Sequence, residues 1–214
     1  MPIDCGLLRR SLVLGSALLY WTGVIIHAVR LRARIGRSPN IQPRGLRESF
    51  LWTGWFLVIA GWIGQPFIMK HYACGTLFSF IRFFFHPVGV VFGVLLAACG
   101  HIGTLWCYSA LGDSWRIGIN KNELTTLVKN GPYRFVRHPI YLFQMLILTG
   151  MLFLLPTLFS FVILLIHFIS TRLKASDEEA YLMGIHGSAY RDYLSRTGRL
   201  LPHWLSLRQI FRRN

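Results

Sequence analysis

Acidic residues are scarce in this chain: 8 Asp and Glu stand against 23 Lys and Arg in 214 residues. Charge of either sign is short as well, at 14% of residues, where globular domains carry about 25%. A deficit of that size excludes an ordinary water-solvated domain and fits a chain solvated mainly by lipid. Cysteine is sparse too. Cys5, Cys74, Cys99 and Cys107 form no CxxC and no metal-ligand spacing, so they read as small buried hydrophobes. The histidines (His27, His71, His86, His101, His138, His167, His186 and His203) contain no HxxxH or HxxH pair. A di-iron hydroxylase or desaturase needs such clustered ligands, and no metal is expected. There are no internal repeats and no low-complexity tract, so the chain reads as one domain.

What is present is apolar: 53% of the residues are hydrophobic. Four uncharged runs carry the signal, at 11–29, 49–69, 83–112 and 138–171. A spanning helix needs roughly 20 predominantly apolar residues, so the first three runs each fit one span. The fourth is too long for one span and marginal for two, with Pro156 near its middle. It is read as two short helices, 139–155 and 157–174, folded as a hairpin at Leu155-Pro156. Each covers only about 25 Å, which calls for local bilayer thinning or support from neighbouring helices. A single tilted, proline-kinked helix is the alternative. The expected fold is an all-α integral membrane protein with about five transmembrane helices, a C-terminal helical hairpin and a cytoplasmic C-terminal helix.

Five spans put three basic segments on one side. One holds Arg30, Arg32, Arg34, Arg37, Arg44 and Arg47. Another holds Arg116, Lys121, Lys129, Arg134 and Arg137. The last holds Arg172, Lys174, Arg191, Arg196, Arg199, Arg208, Arg212 and Arg213. The positive-inside rule makes that side cytoplasmic, and anionic lipids at the cytoplasmic face are expected partners. Only Arg9, Arg10, Lys70 and Arg82 fall on the other side. Nucleic-acid binding is not expected from the net charge of +15, because the basic residues flank membrane segments. The N-terminus is not read as a cleaved signal, since its apolar run is long and ends in Tyr20-Trp21 and His27.

The chemistry-bearing segment is Gly131-Pro132-Tyr133-Arg134-Phe135-Val136-Arg137-His138-Pro139-Ile140-Tyr141, at the mouth of the fourth run. Pro139 suits the first position of a helix and pushes His138 out of helical geometry. The free N–H groups there attract carboxylates or phosphates, and Arg137 adds a planar fork for the same groups. Gly131-Pro132 supplies a turn that brings Tyr133 and Arg134 to this mouth. The plainer reading is a juxtamembrane cluster whose arginines contact lipid phosphates. Downstream, Ser176-Asp177-Glu178-Glu179 reads as an N-cap with first-turn acids opening a helix over 177–196. The acids either recognise a positive ligand group or compensate the helix dipole and pair with Arg172 or Lys174. Together the two clusters suit a ligand with an anionic and a cationic end, which describes S-adenosylmethionine better than a nicotinamide dinucleotide.

Three blocks resemble the isoprenylcysteine carboxyl methyltransferases and their prokaryotic relatives. They are Leu111-Gly112-Asp113-Ser114-Trp115-Arg116-Ile117-Gly118, then Leu127-Val128-Lys129-Asn130-Gly131-Pro132-Tyr133-Arg134, then Arg137-His138-Pro139-Ile140-Tyr141. Glu178-Glu179, Leu182, Gly187, Tyr190, Tyr193 and Pro202 continue the pattern, which covers about 105–203. The resemblance implies a membrane methyltransferase with S-adenosylmethionine as cofactor, bound between the helix mouth and a C-terminal helix that caps it. It implies a cofactor site of Gly131, Pro132, Tyr133, Arg137, His138, Pro139, Tyr141, Glu178 and Glu179, with the two glutamates on the cationic end. It implies a region of N-terminal helices (1–110), a catalytic region (111–203) and a basic tail (204–214). The expected substrate is lipophilic, drawn from the bilayer, and most simply a carboxylate of isoprenylcysteine type. Arg134 or Arg137 would steer its acid group, and His101 or His186 would serve as base for a proton-bearing substrate. Two departures from the pattern, His186-Gly187 and Leu142-Phe143-Gln144, bear on the substrate pocket. A membrane sterol-type reductase using NADPH and a non-enzymatic scaffold are the alternatives.

Overall fold

A computed structural model of the chain describes residues 5–36, 45–71, 77–81, 85–115 and 126–203. The turns expected around Pro39, Pro43 and Asn120-Lys121-Asn122, the cations Arg37, Arg44, Arg82, Arg116 and Lys121, and the tail 204–214 lie outside these residues. Five helices follow in order: α1 (Cys5–Ile35), α2 (Leu46–His71), α3 (Pro87–Leu111), α4 (Pro139–Leu154) and α5 (Leu158–Arg196). Four of them, α1, α2, α3 and α5, are long and apolar enough to cross a membrane, and α4 is apolar but shorter. The protein is an all-α integral membrane protein.

The seam between α3 and α4 is made of small residues. Gly93, Ala97, Gly100, Gly103 and Thr104 are buried on α3, and Gly150 is buried on α4. A Cβ on Gly100 would lie 2.4 Å from Ile147 and 2.7 Å from the Phe143 carbonyl, and one on Gly150 would lie 2.6 Å from the Gly93 carbonyl. Lipid gives helices no hydrophobic reason to associate, so close backbone approach of this kind supplies the van der Waals energy instead.

The fourth apolar run folds as the expected hairpin. At 16 residues α4 is only about 24 Å long, shorter than a hydrocarbon core of about 30 Å, so its C-terminal turn needs protein partners for its backbone. It has them. The buried Arg9 guanidinium of α1 donates to the carbonyls of Phe153 (3.1 Å), Leu154 (3.0 Å) and His86 (2.7 Å). Ile81 N–H donates to the Pro156 carbonyl at 2.7 Å. Thr157 caps α5 by accepting from Ser160 N–H at 3.0 Å, and Gln65 of α2 donates to both Thr157 and Ser160 hydroxyls.

One expectation is corrected. No helix starts at Ser176: α5 runs from Leu158 through Ser176-Asp177-Glu178-Glu179 to Arg196, with non-helical torsions only at Gly187 (φ 51°, ψ −119°). No glycine or proline interrupts the chain between Thr157 and Gly184, and the acids find side-chain partners rather than free N–H groups. Asp177 pairs with Arg47 at 2.9 Å. Up to the kink at Gly187 the helix is about 44 Å long, so it outlasts a hydrocarbon core of about 30 Å, and the polar residues lie toward its C-terminal end.

The seam predicts an asymmetric response to glycine substitution. Gly100→Leu should lower stability by about 1–3 kcal/mol or more through overpacking. Gly15→Ala, where nothing lies within 4 Å of the added carbon, should leave it unchanged or slightly raised. Thermal unfolding of the two purified variants in one detergent makes the comparison.

Candidate functional site

Four pieces of chain converge where α4 begins. Asn130 leads into a 3₁₀ turn at Gly131–Arg134. Gly131 adopts φ 56°, and a Cβ there would sit 2.9 Å from Ala110, so glycine is required twice over. His138 precedes α4 with φ −125° and ψ 62°, and Pro139 occupies the first turn, as the Arg-His-Pro order predicts. The segment after α5 runs beside this stretch. Arg137 N–H donates to the Gly198 carbonyl (2.8 Å) and His138 N–H to the Arg199 carbonyl (3.1 Å). Tyr193 hydroxyl donates to the Tyr133 carbonyl at 2.6 Å.

Buried Glu179 stands at the centre. Its Oε1 accepts from Arg137 Nε at 2.8 Å and from Arg199 Nε at 3.1 Å, with His138 Nε2 at 3.3 Å. Its Oε2 accepts from Arg199 Nη2 at 2.5 Å. Arg137 Nη1 also donates to the carbonyls of Leu194 and Thr197, which end α5. Glu178 makes a second set of contacts: Oε1 accepts from the Tyr141 hydroxyl at 2.6 Å, and Oε2 lies 3.2 Å from His138 Nδ1. Tyr141 stacks on His138 with ring centroids 5.7 Å apart. His138 is thus clasped between two carboxylates. Burial alone would lower its pKa, but the hydrogen bonds to Glu178 and Glu179 outweigh it and leave the imidazole above its ordinary value.

A cavity of about 230 Å³ opens beside this cluster. Tyr133, Arg137, His138, Tyr141, Glu178, Tyr190 and Tyr193 line its polar part. Val24, Leu111, Trp115, Ile140 and Leu182 line its apolar part, and Tyr20, Trp55, Tyr108 and Gln144 also contribute. Two buried polar atoms on its wall have no partner among the described residues, Tyr190 Oη and Gln144 Oε1. The amide of Gln144 donates to the Tyr20 hydroxyl at 2.5 Å.

The residues expected at the site divide. Tyr133, Arg137, His138, Tyr141 and Glu178 line the cavity, while Gly131, Pro132, Pro139 and Glu179 build the frame behind it. Arg134 is exposed and lies outside the lining, as do His101 and His186. His101 Nε2 lies 2.8 Å from the Ser16 hydroxyl of α1. Arg199 had no sequence signal as the partner of Glu179, being one of many tail cations. Tyr20, Val24 and Trp55 sit outside the motif blocks and reach the cavity only through the helix packing.

Fold and cavity together define an integral membrane protein with a buried polar cluster opening on a half-apolar chamber at one end of a helix bundle. Within that class, residues 91–184 match the model of the isoprenylcysteine carboxyl methyltransferase (ICMT) family. The matched stretch contains most of α3, all of α4 and both glutamates, and leaves out α1, α2 and Arg199. No curated protein gives a match to this chain.

Two tests follow from the cluster. Glu179→Gln should destabilise by about 3–5 kcal/mol, because two guanidinium groups lose their buried counter-charge. Arg199→Ala should cost less, and the double variant less than the sum; chemical unfolding of the three variants measures this. His138 gives a pH signature. A pKa raised by folding adds stability at low pH that is lost as pH climbs through the folded value. The stability advantage of wild type over His138→Gln should therefore shrink as pH rises above about 6.5, the free imidazole value. An advantage that grows with pH would contradict the clasp.

Proposed function

We propose that this protein transfers a methyl group from S-adenosylmethionine to a lipophilic acceptor drawn from the bilayer, with a carboxylate of isoprenylcysteine type as the acceptor group. The observation that carries the reading is the single cavity that joins a charged wall to an apolar one. A water-soluble cofactor and a lipid-borne acceptor need such a chamber in order to meet. The match to the methyltransferase family supports the reaction class.

The cavity wall suits the cofactor. S-Adenosylmethionine is positively charged at sulfur and at its ammonium, and Glu178 is the carboxylate on the wall. Its hydroxyls and amines are the kind of partner that Tyr190 Oη and Gln144 Oε1 lack. When bound, the cofactor supplies a methyl group already activated by the sulfonium. The residues then have to bind, orient and exclude water. Tyr141 and His138 hold Glu178 in one position. Arg137 acts as a positioning residue, tying α4 to the end of α5 through Glu179 and the Thr197 and Leu194 carbonyls. Arg134, outside the lining, is assigned to steering the acceptor's acid group from the surface. Held at near-attack distance, a carboxylate acceptor needs no proton removed. That suits a wall whose one imidazole among the described residues, His138, is engaged by both glutamates.

In this reading 111–203 is the catalytic region, and the helices before it close the acceptor side. The catalytic end faces the cytoplasm, with anionic lipids at that face. The ion pairs Arg34–Asp113 and Arg47–Asp177 lie at the same end as the cavity mouth, in keeping with the positive-inside rule.

S-Adenosylmethionine and its demethylated product should each raise the unfolding temperature of the detergent-purified protein, and NADPH should not. Glu178→Gln should weaken that stabilisation tenfold or more in cofactor concentration. Labelled methyl should pass to a prenylcysteine acid in bilayer nanodiscs. Stabilisation by NADPH alone would move the assignment to a reductase.

A further inference from the structure

Lys174 is the one cation on the cavity wall that has neither an ion pair nor a hydrogen bond among the described residues. It lies on α5 one turn before Glu178, whose two oxygens are taken by Tyr141 and His138. Arg137, the other cation on the wall, is held by Glu179 and two carbonyls. The Lys174 ammonium instead faces aromatic rings of α2, 5.7 Å from the Trp55 centroid and 6.0 Å from that of Trp52. Those rings are fixed in turn: Trp52 meets Trp55 edge-on at 5.5 Å, and Trp21 of α1 meets Trp55 at 5.2 Å. Trp55 also lines the cavity, with Val24 of α1 nearby on the same wall.

The ring faces steady an ammonium group but satisfy none of its three donors. The half-buried ammonium feels the Glu178 carboxylate one turn on, but the oxygens of that carboxylate are engaged by Tyr141 and His138, which leaves the ammonium donors open to a second anion. We infer that Lys174, on its Trp52–Trp55 platform, is the anchor for a single acidic headgroup of the lipophilic acceptor, whose apolar body lies along Trp55 and Val24. The headgroup is a carboxylate or a phosphate, since an ammonium pairs with either as a point charge. The assignment rests on the methyl-transfer reading only for the word acceptor. It gives the N-terminal helices, which lie outside the matched family segment, a part in substrate choice, because α2 supplies the platform that sets where the ammonium points.

The test measures binding without cofactor, so that it stands apart from methyl transfer. The full chain is purified in an uncharged maltoside detergent, and quenching of tryptophan fluorescence is titrated with three probes. These are N-acetyl-S-farnesylcysteine, its uncharged methyl ester, and a lysophosphatidic acid of similar chain length. Wild type should bind at least one acid tenfold or more tightly than the ester, and the preference should fade with added salt. Preference for the farnesyl acid identifies a carboxylate headgroup, and preference for the lysolipid a phosphate. Lys174→Gln should abolish the preference while leaving ester binding unchanged, and Lys174→Arg should keep most of it. Equal binding of acids and ester to wild type, which needs no variant, overturns the inference. So does a Lys174→Gln protein that keeps the preference. Failure of S-adenosylmethionine to stabilise the protein would remove the methyl-transfer reading and leave an acid-selective site standing.

Discussion

A buried carboxylate with no cation to meet it would not persist, and Glu179 makes that constraint the organiser of the whole mouth. Its partners come from both ends of the motif region: Arg137 and His138 from the approach to α4, and Arg199 from beyond α5. Each is useful only if the backbone that carries it is fixed. The paired main chains of Arg137–Gly198 and His138–Arg199 fix them. Counting Glu178, the cluster holds two formal negative charges against Arg137 and Arg199, so His138 decides whether it is neutral or positive overall. A residue in that position shifts the local field with one proton. That its pKa is raised despite burial means the carboxylates dominate the environment in which a charged ligand would sit.

That cluster can be buried only because the bundle beneath it is rigid. A helix as short as α4 cannot rely on its own hydrophobic length to stay at a given depth. The glycine seam with α3 fixes its sideways position, since the two backbones approach so closely that no Cβ fits at Gly93, Gly100 or Gly150. Arg9 fixes its far end by satisfying carbonyls that would otherwise face lipid. An arginine within the bilayer is costly unless paired, and here the cost is offset by three acceptors and by the Phe85 ring 4.3 Å away. The polar site at one end and the polar staple at the other thus hold the same hairpin from opposite sides.

Much of this was legible in the sequence wherever the cause is local. Pro156 marks the hairpin, Pro139 marks the start of α4, and His138 falls outside helical geometry because the residue before a proline must. Tyr133, His138 and Tyr141, which line the cavity, belong to the block around Pro139, whereas Glu178, Tyr190 and Tyr193 belong to the later part of the resemblance. The failures share one origin. Ser176-Asp177-Glu178-Glu179 carries every local mark of a helix start, yet partners distant in sequence absorb the acids and the helix runs on. Arg9 looked like a flanking charge because nothing near it in sequence shows the carbonyls it reaches about 145 residues away. Trp55 and Tyr20 carry no motif signal because they reach the cavity only through the packing of α2 and α1.

The division between legible and hidden parts also bears on how such a site diversifies. The charged half of the cavity joins the approach to α4 with side chains of α5 through closely spaced hydrogen bonds and ion pairs, so few substitutions there leave the clasp intact. The apolar half draws side chains from all five helices, and those of α1, α2 and α3 meet it only through packing. A change at Val24, Trp55 or Tyr108 alters volume and polarity on the lipid side without touching the charge network around Glu179. A membrane chamber arranged in this way separates the two demands placed on it. The part that must hold a charged group in a low-dielectric setting, where errors are expensive, is locked by backbone pairing and buried ion pairs. Under the proposed methyl transfer, the part that would take the lipophilic acceptor is left to side chains outside that charge network.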